Sequence, residues 1–146
     1  MKEDPYNLSR FTSAQADVYK DVLAELRSGR KRTHWMWFIF PQIEGLGRST
    51  TTQFYAIKSL EEARQYLDHP ILGLRLLECA EAVYALEERS ASEIFGFPDD
   101  LKLRSCMTLF EKVAGPASVF SRVLAKYFNG ERDVTTQHII EELKEK

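Results

Sequence analysis

Apolar residues in this chain return at three- and four-residue intervals in segment after segment, and nowhere does a two-residue alternation lead into a hairpin turn. Such spacing lines one side of a helix, whereas a strand needs a second strand to satisfy its backbone. The pattern predicts an all-α fold, a compact multi-helix bundle or array forming a single domain over residues 1–146.

Punctuation along the chain divides that pattern into helices. Thr12 and Gln15 have capping-box spacing, in which each side chain meets the other's free backbone N–H. A first helix is therefore expected to open at Thr12, to bury Val18, Val22 and Leu26, and to close at Gly29. Ser59 and Glu62 repeat the spacing and predict a helix through Leu67, stopped at His69 because Pro70 disfavours helical geometry before it. Ile71, Leu74, Leu77, Ala80, Val83 and Tyr84 then form the apolar stripe of a long central helix. Ser90 with Glu93 caps a short helix ended by Gly96, and Pro98, Asp99 and Asp100 start the next, which runs to about Ala114. After Gly115 and Pro116, the stripe containing Phe120, Val123, Leu124 and Tyr127 predicts a further helix, broken at Asn129–Gly130. Asp133 caps a last one carrying Ile139, Ile140 and Leu143.

Composition narrows the partners. Twenty Lys and Arg face 22 Asp and Glu, a formal net charge of -2, where a dedicated nucleic-acid-binding domain carries a basic excess. The acidic opening Met1–Pro5 lacks the apolar stretch of a secretory signal. The longest apolar run, Trp35 to Pro41, is far short of the roughly 20 residues that cross a bilayer. Cys79 and Cys106 lie inside helical patterns, which reads as reduced, buried thiols and, with the other features, predicts a cytoplasmic protein without a membrane partner. His34 and His138 show no metal-ligand spacing with the cysteines, and no phosphate-loop, zinc-hydrolase or nucleophile motif occurs. Neither a metal nor a cofactor is expected.

Three stretches carry polar or aromatic residues beyond what a helical core needs. In Trp35-Met36-Trp37-Phe38-Ile39-Phe40-Pro41-Gln42, both alternation parities are bulky, so the segment must be buried on several sides. Its plainer role is a core plug; its functional role is a pocket wall on which a base or sugar stacks. Next, Gly45 and Gly47 permit a turn whose N–H groups, with Arg48 and Ser49, can hold a phosphate or carboxylate, or merely cap the following helix. Finally, Asp99, Lys102, Ser105 and Thr108 recur every three residues, either as a cap and ion pair at a solvated edge or as the side of a cleft in which Lys102 meets an anion. His69 can titrate near neutral pH, although a His before Pro is commonly a helix-end residue. Arg27, Arg30, Lys31 and Arg32 read most simply as cations at the negative end of the first helix.

Several long blocks, Trp37-Phe38-Ile39-Phe40-Pro41-Gln42, Gly45-Leu46-Gly47-Arg48-Ser49, the stretch from His69 to Leu76 and that from Asp99 to Phe110, resemble the signature blocks of an uncharacterised bacterial family, domain of unknown function 1810. The resemblance spans nearly the whole chain. It implies a mainly helical single domain and brings no established activity; the calpastatin label sometimes attached to similar sequences has no support in these residues.

The expected function is binding of an anionic small molecule, a nucleotide or phosphorylated metabolite, with hydrolysis as an extension. The expected site comprises Trp35, Trp37, Gln42, Gly45, Gly47, Arg48, Ser49, His69, Asp99, Lys102 and Ser105. The competing expectation is a module without chemistry, which accepts another protein or a second copy of itself through exposed aromatics such as Trp35, Phe95 and Phe97.

Overall fold

In a computed structural model, which describes residues 3–144, the chain folds into ten helices without a strand among the described residues. Met1 and Lys2 of the acidic opening stretch lie outside these residues. The first departure from the sequence pattern comes at once. Helix α1 (Ser9–Ala16) starts before Thr12, because the Asp4 carboxylate accepts the N–H groups of Leu8 at 2.7 Å and Ser9 at 3.0 Å. Thr12 is thereby left inside the helix, where its hydroxyl donates to the Ser9 carbonyl instead of capping. A break at Asp17–Val18 separates α1 from α2 (Tyr19–Ser28), which ends as expected on Gly29 in the left-handed conformation.

Helix α3 (Met36–Ile39) is a single turn, and the chain then runs extended through Pro41 and Gln42. Here Gln42 accepts the Ile57 N–H and Ile57 accepts the Glu44 N–H, both at 2.8 Å, forming one parallel bridge between Ile43 and Ile57. That bridge pulls α4 (Thr50–Tyr55) against α3. Helix α4 buries no residue completely, so it has no apolar stripe by which the sequence would announce it. From the other side, the buried Arg10 guanidinium pairs with Glu62 at 2.6 Å and donates to the Phe54 and Ala56 carbonyls, which ties the end of α4 to α1 and α5 (Leu60–Asp68).

Helix α6 (Leu72–Ala85) is long, as expected, and buries Ala80 and Val83 of the expected stripe, but its core face is rotated away from Ile71, Leu74 and Leu77. Leu72, Leu76, Cys79, Ala80 and Val83 are buried, whereas Ile71, Leu74 and Leu77 are 45%, 68% and 38% exposed. Both sets satisfy helical spacing. The choice is made by Gly73, whose missing side chain lets the Leu67 carbonyl approach so closely that a Cβ would lie 1.9 Å from its oxygen.

Helix α7 (Ala91–Phe95) opens on Ser90 and Glu93 with both arms of the capping box formed. Helix α8 (Asp99–Ala114) runs through the centre of the molecule, with Leu103, Cys106, Met107, Leu109 and Phe110 buried. It packs against α5, α7, α9 (Val119–Phe128) and α10 (Val134–Lys144), the last capped by Asp133 through the Thr136 N–H. Rings of Phe11, Tyr66, Phe110 and Phe120 follow one another across the core with centroids 5.0, 5.5 and 5.8 Å apart. No helix among the described residues is long and apolar enough to cross a membrane.

Burial also corrects the list of exposed aromatics. Trp35 and Phe95 belong to the core, each in contact with Phe40, and only Phe97 of the three expected interface residues is exposed, at 80%. They are enclosed because α7 folds back over the aromatic run, where Lys31 N–H donates to the Ile94 carbonyl.

Candidate functional site

The aromatic run divides between two environments. Trp35, Met36, Ile39 and Phe40 are buried, while Trp37 is half-buried and, unlike Trp35, Phe38 and Phe40, has no aromatic ring stacked on it. One helical turn explains the division, since residues 36, 39 and 40 share a face and residue 37 points away from it. Trp37 forms one wall of a cavity of about 250 Å³ between α3, the bridge segment, α4 and the first turns of α8.

Gln42, Gly45, Gly47 and Lys102 also line this cavity, so five of the eleven residues singled out in the sequence converge there. The half-buried Gln42 in this lining has its side-chain amide unengaged among the described residues, whereas the amide of Gln53, on the α4 side, donates to the Arg48 carbonyl. Gly45 has φ +109°, a conformation side chains rarely adopt, and thereby turns the chain around the rim. Gly47 is needed for space: a Cβ there would stand 2.3 Å from the Thr52 methyl group.

Across the cavity, the Lys102 ammonium stands 5.4 Å from the Trp37 ring centroid and 3.3 Å from Asp99 Oδ1. The other oxygen of Asp99 holds the Lys31 ammonium at 3.0 Å, and Lys31 lies over the Trp35 ring at 5.1 Å. Two lysines thus share one carboxylate, which leaves one positive charge uncompensated within the trio. Lys31 is 8% exposed and also donates to the Thr33 carbonyl, so the accessible cation is Lys102, at 26%. Asp99 acts here as the residue that aims Lys102.

The remaining candidates lie elsewhere. Trp35 is 2% exposed, with its indole N–H donating to Glu25, and does not reach the cavity. Arg48 is exposed and does not line it. Ser49 caps α4 by accepting the Thr52 N–H, and the hydroxyl of Ser105 donates to the Leu101 carbonyl within α8. His69 sits in a separate depression beside Asp4 and Gln65, where its Nδ1 accepts the N–H groups of Ile71 and Leu72 and closes the start of α6. Sequence reasoning passed over Glu44, Thr52 and Tyr55, which also line the cavity. Ser49 followed three residues later by Thr52 was a cap-like signal for α4, but nothing local tied α4 to Trp37.

The basic cluster after α2 is organised by Glu25. Its carboxylate accepts the N–H groups of Arg32 and Thr33, the Thr33 hydroxyl and the Trp35 indole N–H. Burial opposes its ionisation, but these four donors outweigh it and hold the carboxyl down at about 2. Neither thiol is activated: burial pushes Cys79 up to about 12 and Cys106 well above its ordinary range. Among the described residues, no group of three or more His, Cys, Asp and Glu side chains is placed to hold a metal ion.

The fold and cavity define an all-helical protein with a small mixed aromatic and cationic pocket. The chain belongs to the family described as protein of unknown function, DUF1810, whose sequence profile matches residues 5–140. Among solved structures it is similar to the conserved hypothetical protein Rv1873 from Mycobacterium tuberculosis, a crystal structure at 1.38 Å, with 52% identity and a TM-score of 0.91 over 94% of this chain and 99% of that one. Comparison with curated proteins gave no match.

Proposed function

We propose that this protein is a cytoplasmic binding protein for a small anionic molecule, a nucleotide or another phosphorylated metabolite, which it holds in the Trp37–Lys102 cavity. One observation carries the reading: Trp37, with no aromatic ring stacked on it, the Gln42 amide, unengaged among the described residues, and the accessible cation Lys102 from a distant part of the chain line one concave space. A ring placed against Trp37 exchanges water for a flat apolar surface, and Lys102 supplies a charge-assisted contact to the anion. Any hydrolytic step would draw on Glu44, the carboxylate in the lining.

A thermal-shift screen against nucleotides, phosphosugars and carboxylates tests this, because a ligand bound at 100 times its dissociation constant adds about 2.7 kcal/mol to stability. The expected result is a dose-dependent rise that Lys102→Ala abolishes or weakens by roughly tenfold or more, without lowering the unliganded melting temperature by much, since a partly exposed i,i+3 ion pair contributes little. A flat response across the three classes counts against the proposal.

The outer face of α6 favours a second reading, self-association. Ile71, at the N-cap of α6, and Leu74 and Leu77 in its first two turns stand exposed along one side. Light scattering over a wide concentration range tests it: a mass that doubles, and reverts to the monomer on Leu74→Glu, supports an α6 interface, and a constant monomer mass removes it.

A further inference from the structure

Resting on the binding reading above, we infer that the cavity selects a ligand with a single phosphate or carboxylate at one end and a hydrogen-bond donor on its ring, and that it discriminates against polyphosphates. The first ground is the charge available. Lys31 is spent on Asp99 and the Thr33 carbonyl, and Arg48 does not line the cavity, so among the described residues Lys102 alone offers a positive charge to a ligand there. Sites for several phosphates gather more cations, a metal ion or a row of free backbone N–H groups. At the start of the six-residue helix α4, the Ser49 side chain already takes the Thr52 N–H.

The second ground is Glu44, an exposed acidic residue in the same lining. A second or third phosphate would meet its negative charge, whereas an amino group or ring N–H would give it a proton to accept. Gln42, with a donor and an acceptor on one free amide, completes a polar end suited to a heterocycle edge. The third ground is size: about 250 Å³ is below the roughly 300–1,000 Å³ common for ligand sites, which favours a short ligand.

Calorimetric titration of the full chain with AMP, ATP and N6,N6-dimethyl-AMP, whose exocyclic nitrogen has no proton, tests the inference. AMP should bind at least about tenfold more tightly than each of the other two. In Glu44→Gln, the preference for AMP over ATP should shrink to within about threefold, because the repelling charge is gone. ATP binding as tightly as AMP in the wild type, or a preference unchanged in Glu44→Gln, overturns the inference and leaves the binding site standing. An absence of binding by all three nucleotides and by inorganic phosphate and acetate overturns both.

Discussion

Replacing Trp35 by alanine removes a side chain that is 2% exposed and packed against Phe40 and Phe95, and the expected loss is roughly 3–5 kcal/mol of unfolding free energy. Trp37→Ala, two residues on, removes a half-buried ring facing a cavity and should cost clearly less in urea denaturation. Equal losses would place Trp37 in the core. Glu25 supports a second residue-scale prediction. Its carboxyl lies at about 2 in the folded protein against an ordinary 4.5, so the folded state binds its proton less readily than the unfolded state. The stability it contributes is fully present above about pH 4.5 and is lost as the pH falls through about 2. Wild type should therefore lose more stability than Glu25→Gln between those two values, and parallel curves for the two proteins would show that the four donors to Glu25 contribute nothing through its ionisation.

At the scale of elements, the helix punctuation was readable where a capping residue type stands next to a clear apolar stripe, and not at Ser49, whose helix α4 has none. Ser59, Ser90, Gly29, Asn129 and Asp133 act at the ends where their residue types and spacing placed them. Thr12 misled because a competing acceptor, Asp4, lies further back and takes the free N–H groups first. The face of α6 was illegible for a different reason: a helix with leucines on both sides satisfies the apolar period twice, and a backbone contact between α5 and α6 decides between them. Gly73→Ala probes that contact. A methyl group 1.9 Å from the Leu67 oxygen cannot be accommodated without moving the α5–α6 junction, and the variant should lose at least about 1–3 kcal/mol despite alanine's higher helix propensity. A neutral or stabilising effect would mean that the junction yields freely.

For the whole molecule, what the sequence contained was a set of unusual residues, and what it lacked was their arrangement. Trp37 and Lys102 belong to segments that share no local pattern, and they meet because the Ile43–Ile57 bridge folds α4 back while α7 turns the chain toward the start of α8. The same folding scattered Trp35, Arg48, Ser49, His69 and Ser105 to the core, the surface, two helix caps and a backbone contact within α8. Their residue types suited a binding site equally well, so chemistry could nominate them and geometry alone could select among them. The central claim is that the cavity, and no other surface, receives a small anionic ligand. Amide and indole chemical-shift mapping by NMR with the strongest stabiliser from the thermal screen measures this most directly. The account predicts perturbations concentrated at the Trp37 indole and at the amides of Gln42, Gly45, Gly47 and Thr52, and their loss in Lys102→Ala; shifts concentrated instead on Ile71, Leu74 and Leu77, or around His69, would contradict it.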